Sequence, residues 1–103
     1  MRYTVSHGVV IRLISNRALR EFARRYPQAD APLQAWRRLI ERNRFSGYAD
    51  LKKLFQAVDK VGGVYVFDVG GNKFRVIAAI HFNAQALYVR HVFTHAEYDD
   101  WRP

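Results

Sequence analysis

The feature that most constrains this chain is a single change of hydrophobic period just past its midpoint. From about residue 15 to 55 the apolar side chains recur every three or four positions, as on one face of a helix. From residue 64 they gather instead in β-branched and aromatic runs divided by glycine and asparagine. That change predicts an α+β architecture, with two N-terminal helices packed on an antiparallel sheet. At 103 residues there is material for one core and one domain, spanning 1–103.

Residues 9–14 form a short β-branched run that predicts a first strand, and Ser15 follows as a candidate helix N-cap. Ala18, Leu19, Phe22, Ala23 and Tyr26 then make one helical stripe, with Arg17, Arg20, Glu21, Arg24 and Arg25 around the rest, and Pro27 ends the helix. Asp30 predicts the cap of a second helix carrying Pro32 in its first turn. Its inward stripe is Leu33, Trp36, Leu39 and Ile40, and Arg37, Arg38, Glu41, Arg42 and Arg44 lie outside it. Together the two make an αα-hairpin with arginine on its outer surface. A shorter helix is expected over 46–55, with Tyr48, Leu51, Leu54 and Phe55 inward and Lys52 and Lys53 outward.

Three strands are predicted over 64–69, 73–82 and 86–93, joined at Gly70-Gly71-Asn72 and Asn83-Ala84-Gln85. Thr94-His95-Ala96-Glu97 fits a capping box that opens a last short helical turn. Alternation along the second strand sends Phe74, Val76, Ala78, Ile80 and Phe82 toward the helices and Lys73 and Arg75 the other way. A three-residue loop at 83–85 pairs Phe82 with Ala86, sets Arg75 opposite Phe93 and Lys73 opposite His95, and turns Arg90 toward the helices to seek Asp99 or Glu21. A four-residue loop reverses the parity.

Charge narrows the class of partner. The chain has 17 Lys and Arg against 9 Asp and Glu, for a formal charge of +8. Ten arginines and only three acids fall in residues 1–45, whereas the second half is nearly balanced. An arginine fork matches a phosphate edge, so Arg17, Arg20, Arg24, Arg25, Arg37, Arg38 and Arg42 make a candidate surface for docking RNA, the competing reading being a solvated helix face. There is no cysteine, hence no disulfide framework and no Cys-ligated metal. No apolar run approaches the ~20 residues of a membrane span, and the expectation is a soluble cytosolic protein without membrane contact.

The four histidines show no metal-ligand spacing, no serine sits in a nucleophile elbow, and the glycine pair lies between strands and not before a helix. Neither metal nor cofactor is expected. What remains is a polar cluster on the last two strands and the turn beyond them. Cleavage of RNA by its own 2′-hydroxyl needs a base for that proton, cations for the phosphorane and an acid for the departing 5′-oxygen. Lys73 and Arg75 suit the phosphate, and His95 or Tyr98 suits the proton transfers. His91, on the same parity as His95 but four residues earlier, is a lesser candidate. Glu97 serves a capping box equally well, and Arg90 a structural ion pair.

The stretches Ile14-Ser15-Asn16-Arg17-Ala18-Leu19, Val66-Phe67-Asp68-Val69-Gly70-Gly71-Asn72-Lys73-Phe74-Arg75 and Thr94-His95-Ala96-Glu97-Tyr98-Asp99 resemble, in order, the HigB toxins of the RelE superfamily. The resemblance runs from about residue 11 to 98 and implies a RelE-like fold and a ribosome-dependent mRNA endonuclease acting without metal. It also implies binding to mRNA on the ribosome and to ribosomal RNA, and neutralisation by a HigA antitoxin with a helix-turn-helix domain. The family pattern falls on Asn72, Lys73, Arg75, His95, Glu97 and Tyr98. Where RelE carries a lysine pair on the preceding strand, this chain has Tyr65-Val66-Phe67-Asp68, so Lys73 must compensate. Residues 1–9 lie outside the resemblance and read as an N-terminal extension. A non-catalytic RNA-binding module, or an inactive toxin that only binds its antitoxin, remains the other reading.

Overall fold

The sheet grows from the hairpin that the glycine pair permits. β3 (Val64–Val69) and β4 (Phe74–His81) run antiparallel, with Val69 paired to Phe74 and Asp68 to Arg75. Between them Gly70, Gly71 and Asn72 stand at φ +70°, +63° and +78°. Asparagine is among the few non-glycine residues that tolerate this left-handed region. The computed structural model describes residues 10–103, and the extension expected over residues 1–9 lies outside them.

β5 (Ala86–Thr94) continues the meander beside β4. Two short strands complete the sheet: β1 (Arg12–Ile14), parallel to β5 through Arg12 and Ala86, and β2 (Asp59–Val61), antiparallel to β3. The order is β1-β5-β4-β3-β2. β2 escapes the period analysis because three residues cannot show alternation, although Gly62-Gly63 is a hairpin signal in its own right.

The helices cover one face. α1 (Asn16–Arg25) runs through a 3-10 turn (Pro27–Ala29) into α2 (Asp30–Glu41), and α3 (Tyr48–Leu54) follows. Leu19, Phe22, Leu33, Trp36, Ile40 and Leu51 are buried against Phe67, Val69, Phe74, Val76, Ala78 and Leu87. Phe22 meets Phe74 edge-on at 5.7 Å between ring centroids, and Trp36 meets Phe67 at 5.1 Å. The inward set predicted for β4 is therefore correct. Leu39 and Leu54, expected to point inward, are 42% and 41% exposed. Each falls at the edge of its stripe, where helical spacing alone cannot separate rim from core. None of the described helices is long and apolar enough to cross a membrane.

Helix entry differs from expectation. Ser15 makes no side-chain cap; it stands at φ +82°, outside the extended conformation a cap requires, and its carbonyl accepts from the Ala18 amide at 2.9 Å. Asp30 does not cap α2 but is its first residue, because the 3-10 turn leads straight in and the amide of Asp30 bonds back to Pro27. Its carboxylate still lies where the helix dipole favours an anion. At α3 the Ser46 amide donates to Asp50 Oδ2 at 2.7 Å, and this bond holds the Asp50 carboxyl below its ordinary value. The capping box at α4 (His95–Asp100) is present as predicted: Glu97 N–H donates to Thr94 Oγ1 at 3.2 Å and Thr94 N–H to Glu97 Oε1 at 2.8 Å.

The β4–β5 hairpin is where the expected register fails and then recovers. His81 pairs with Ala86, so the loop has four residues and Leu87 and Val89, not Tyr88, face the core. Gln85 explains the longer loop. Its amide donates to the Phe82 and Phe45 carbonyls, each at 2.6 Å, and its oxygen accepts from the Phe45 amide at 3.2 Å, stitching the hairpin to the segment before α3. A β-bulge then places Arg90 between Val89, opposite Ala78, and His91, opposite Ile77. Beyond this extra residue Val76 pairs with Val92 and Arg75 with Phe93, as the shorter loop had predicted. Arg90 itself is exposed and makes neither of the ion pairs expected of it among the described residues.

Gly70 and Gly71 separate two costs. A Cβ on Gly70 would lie 3.1 Å from Cδ2 of the buried Phe74 ring, whereas one on Gly71 would meet nothing within 4 Å. Gly71→Ala should lose about 1 kcal/mol from the left-handed backbone alone, and Gly70→Ala distinctly more, about 2–3 kcal/mol. Urea unfolding checks this, and equal losses would refute the packing account.

Candidate active site

Arg75 leaves β4 on the face opposite the helices, between its cross-strand partners Asp68 and Phe93. A guanidinium offers five N–H donors and accepts nothing. Here five acceptors surround it. Nε pairs with Asp68 Oδ1 at 3.0 Å. Nη1 donates to the carbonyls of Asn72 at 3.0 Å and Phe74 at 3.2 Å. Nη2 donates to Asn72 Oδ1 at 2.7 Å and contacts His95 Nδ1 at 2.9 Å. One flat face lies over the Tyr98 ring, with Cζ 5.6 Å from its centroid. The residue is only 6% exposed, and a cation so buried is tolerable because its donors are matched.

This contact orients the His95 ring. Nη2 can only donate, so Nδ1 is the acceptor in this hydrogen bond and Nε2 is the nitrogen that faces outward. Nε2 lies 3.6 Å from Asp99 Oδ2, at the solvent-exposed edge of the ring. The backbone is joined at the same point, because the His95 amide donates to the Lys73 carbonyl at 3.0 Å. Lys73 is exposed, and among the described residues its ammonium has no hydrogen-bond or ion-pair partner. Lys73 is thus the exposed cation beside the cluster, while the donors of Arg75 are engaged.

The other predicted residues sort as follows. Asn72 presents both its carbonyl and its side-chain oxygen to Arg75 from a left-handed conformation. Glu97 is committed to the capping box through Oε1, and its Oε2 lies 3.7 Å from Arg25 of α1. His91 stacks on Phe93 at 5.1 Å on the same open face, away from Arg75's contacts, and Arg90 is the bulge residue. Sequence reasoning passed over Asp68. Its signal was available, since the glycine turn that pairs Val69 with Phe74 also pairs Asp68 with Arg75.

The helix arginines are not equivalent. Arg17 pairs with Glu21 and Arg37 with Glu41, each at 3.1 Å, and Arg25 joins α1 to the cap of α4. Arg20, Arg24, Arg38 and Arg42 are exposed and make no ion pair among the described residues. No group of three or more His, Asp or Glu side chains among the described residues could hold a metal ion.

Comparison with known proteins meets this geometry. Residues 29–101 match the family described as HigB_toxin, the RelE-like toxic component of a toxin–antitoxin system. The chain belongs to the HigB toxin family. It is 40% identical over 90 residues to the mRNA interferase toxin HigB of Escherichia coli strain K-12, covering 84% of this chain and 86% of that protein. The mRNA interferase HigB of Shigella flexneri matches to the same extent. Membership implies an antitoxin partner. For a HigB-family chain, the matched segment contains the whole cluster from Asp68 through Tyr98.

Arg75→Lys tests the clamp. Lysine keeps the charge but has three donors, so acceptors are left unmatched and the fold should lose about 2–3 kcal/mol. Nitrogen-15 NMR of the histidine ring should report the Nε2–H form at His95 in the parent and a mixture of tautomers in Arg75→Lys. An unchanged His95 spectrum would show that Arg75 does not set its state.

Proposed function

We propose that this chain is an mRNA interferase, the toxin of a bacterial type II pair. It cleaves mRNA on the ribosome by attack of a 2′-hydroxyl on the adjacent phosphate, and a HigA-type helix-turn-helix antitoxin neutralises it in the cytoplasm. The observation that carries this reading is the juxtaposition of an unpartnered Lys73 with a histidine whose Nε2 faces outward. In the reaction the 2′-oxygen bonds to phosphorus, its proton leaves to a base, the phosphorus–O5′ bond breaks, and O5′ takes up a proton. The products are a 2′,3′-cyclic phosphate and a 5′-hydroxyl.

Each side chain then has a part. Lys73 neutralises the charge that builds on the phosphorane. His95 donates from Nε2, to a non-bridging oxygen or to the departing O5′. For it to accept the 2′-hydroxyl proton at that nitrogen, the proton already there would have to move and the Arg75 contact would have to open. The 2′-hydroxyl proton instead passes to solvent through the Tyr98 hydroxyl, which hands its own proton to water as it accepts the new one, its ring being fixed against Arg75. Arg75 acts by holding Asn72, His95 and Tyr98 in place. The four exposed arginines without acid partners supply salt-dependent attraction to ribosomal RNA.

Expression in a bacterium, read as growth arrest and as mRNA cleavage in translating extracts, tests the assignment. His95→Ala should lower cleavage by about 10²–10⁴-fold, and Lys73→Ala by about 10²–10³-fold. Glu97→Ala should cost about 1 kcal/mol of stability and leave the folded protein active. Binding to RNA without turnover in the parent, or equal toxicity of parent and His95→Ala, contradicts the proposal.

A further inference from the structure

The open sheet face carries a second feature beyond the reacting cluster. From the Tyr98 ring an unbroken series of aromatic contacts runs along it. Tyr98 and Trp101 stack with centroids 6.1 Å apart, and Trp101 lies across Phe93 and His91 at 6.0 and 5.8 Å. His91 and Phe93 are stacked within 11° of parallel. Trp101 and His91 form walls of a groove that Val64 and Ile77 share and that Arg90 and Arg102 flank. No Asp or Glu side chain is among its described lining residues, which also include Gly63 and Pro103.

We infer that this groove binds one nucleobase of the RNA, stacked on Trp101 and His91, next to the nucleotide whose phosphate is cut. The inference rests on the RNA-cleaving reading above and extends it to a subsite. Flat aromatic walls, an apolar floor and a cationic rim are the combination that takes a base together with its phosphate. Ile77 lies fully buried beneath the groove, and stacking on an aromatic face is open to any base. Its position agrees. Phe93 faces Arg75 across the strands, and His91 stands two residues further along β5, roughly 7 Å away. One extended nucleotide spans that distance. The bulge at Arg90 contributes by keeping His91 and Phe93 on the open face despite the four-residue loop. Arg102 is held at the rim by Nη1 donating to the carbonyls of Asp99 and Trp101.

The test uses Trp101 emission and a 2′-O-methyl hexanucleotide, which cannot be cleaved, beside the same oligomer with one abasic position moved along it. Trp36 lies buried on the helical side and provides a constant background. The intact oligomer should quench emission saturably. An abasic residue at one position should remove the quench and raise Kd about tenfold, the scale of one base–aromatic stack. Trp101→Phe should keep affinity within about threefold, while Trp101→Ala should lose about tenfold and become indifferent to the abasic position. In cleavage assays Trp101→Ala should raise KM about tenfold, and the abasic position that raises KM for the parent should have no further effect on the variant. Equal quenching by every abasic oligomer, a Trp101→Ala variant that binds as the parent does, or emission that responds to the antitoxin but not to RNA overturns the inference. A parent that cleaves mRNA without base-dependent quenching removes the subsite alone. A parent that shows base-dependent quenching and no cleavage supports the subsite and removes the catalytic reading.

Discussion

The structure of the site depends on the hydrogen-bonding of one guanidinium. Arg75 is buried, and a buried cation is tolerable only where its donors are matched and an opposite charge lies close. Those requirements draw Asp68 from β3, Asn72 from the turn and His95 from α4 to a single point, and lay Tyr98 beneath it. The same bonds decide which nitrogen of His95 faces outward. An interaction that satisfies a burial requirement therefore also orients the neighbouring ring, while Lys73 beside it has no ion-pair partner among the described residues.

Delivery of these residues is a matter of strand register. The left-handed turn at 70–72 places Asp68 opposite Arg75, and the bulge at Arg90 returns β5 to the phase in which Phe93 and His95 reach the same face. The capping box then turns the chain at Thr94, so that α4 folds back over the sheet with Tyr98 and Trp101 on the open side. On the other face the helices bury the apolar set of β3 and β4, and through the contact of Arg25 with Glu97 α1 also touches the cap. Packing on one side thus fixes the geometry of the polar cluster on the other.

Much of this was legible from residue types whose physics is local. Glycine and asparagine at a turn, alternation in β4, the Thr94–Glu97 box and the helical stripes around Leu19 and Leu33 each follow from a few neighbouring residues. The juxtaposition of Lys73, Arg75 and His95 was legible too, because the assumed loop was one residue too short and the bulge made up the difference. What could not be read depends on contacts between distant segments. Gln85 lengthens its loop by bonding to Phe45, forty residues away. Nothing local marks β1 as the parallel neighbour of β5, or Trp101 as the residue that folds onto His91. The role of Arg75 changed most. From sequence it is a cation for the phosphate, and in the structure its donors are already occupied.

The central claim is that this arginine-centred cluster cuts RNA through the 2′-hydroxyl. End-group analysis of one defined mRNA cut by the protein on translating ribosomes, made with and without a single 2′-deoxy nucleotide at the cut position, tests it most directly. The account predicts a 2′,3′-cyclic phosphate and a 5′-hydroxyl from the all-ribose message and no cut at the deoxy position. A 5′-phosphate end, or undiminished cutting at the deoxy nucleotide, would contradict it.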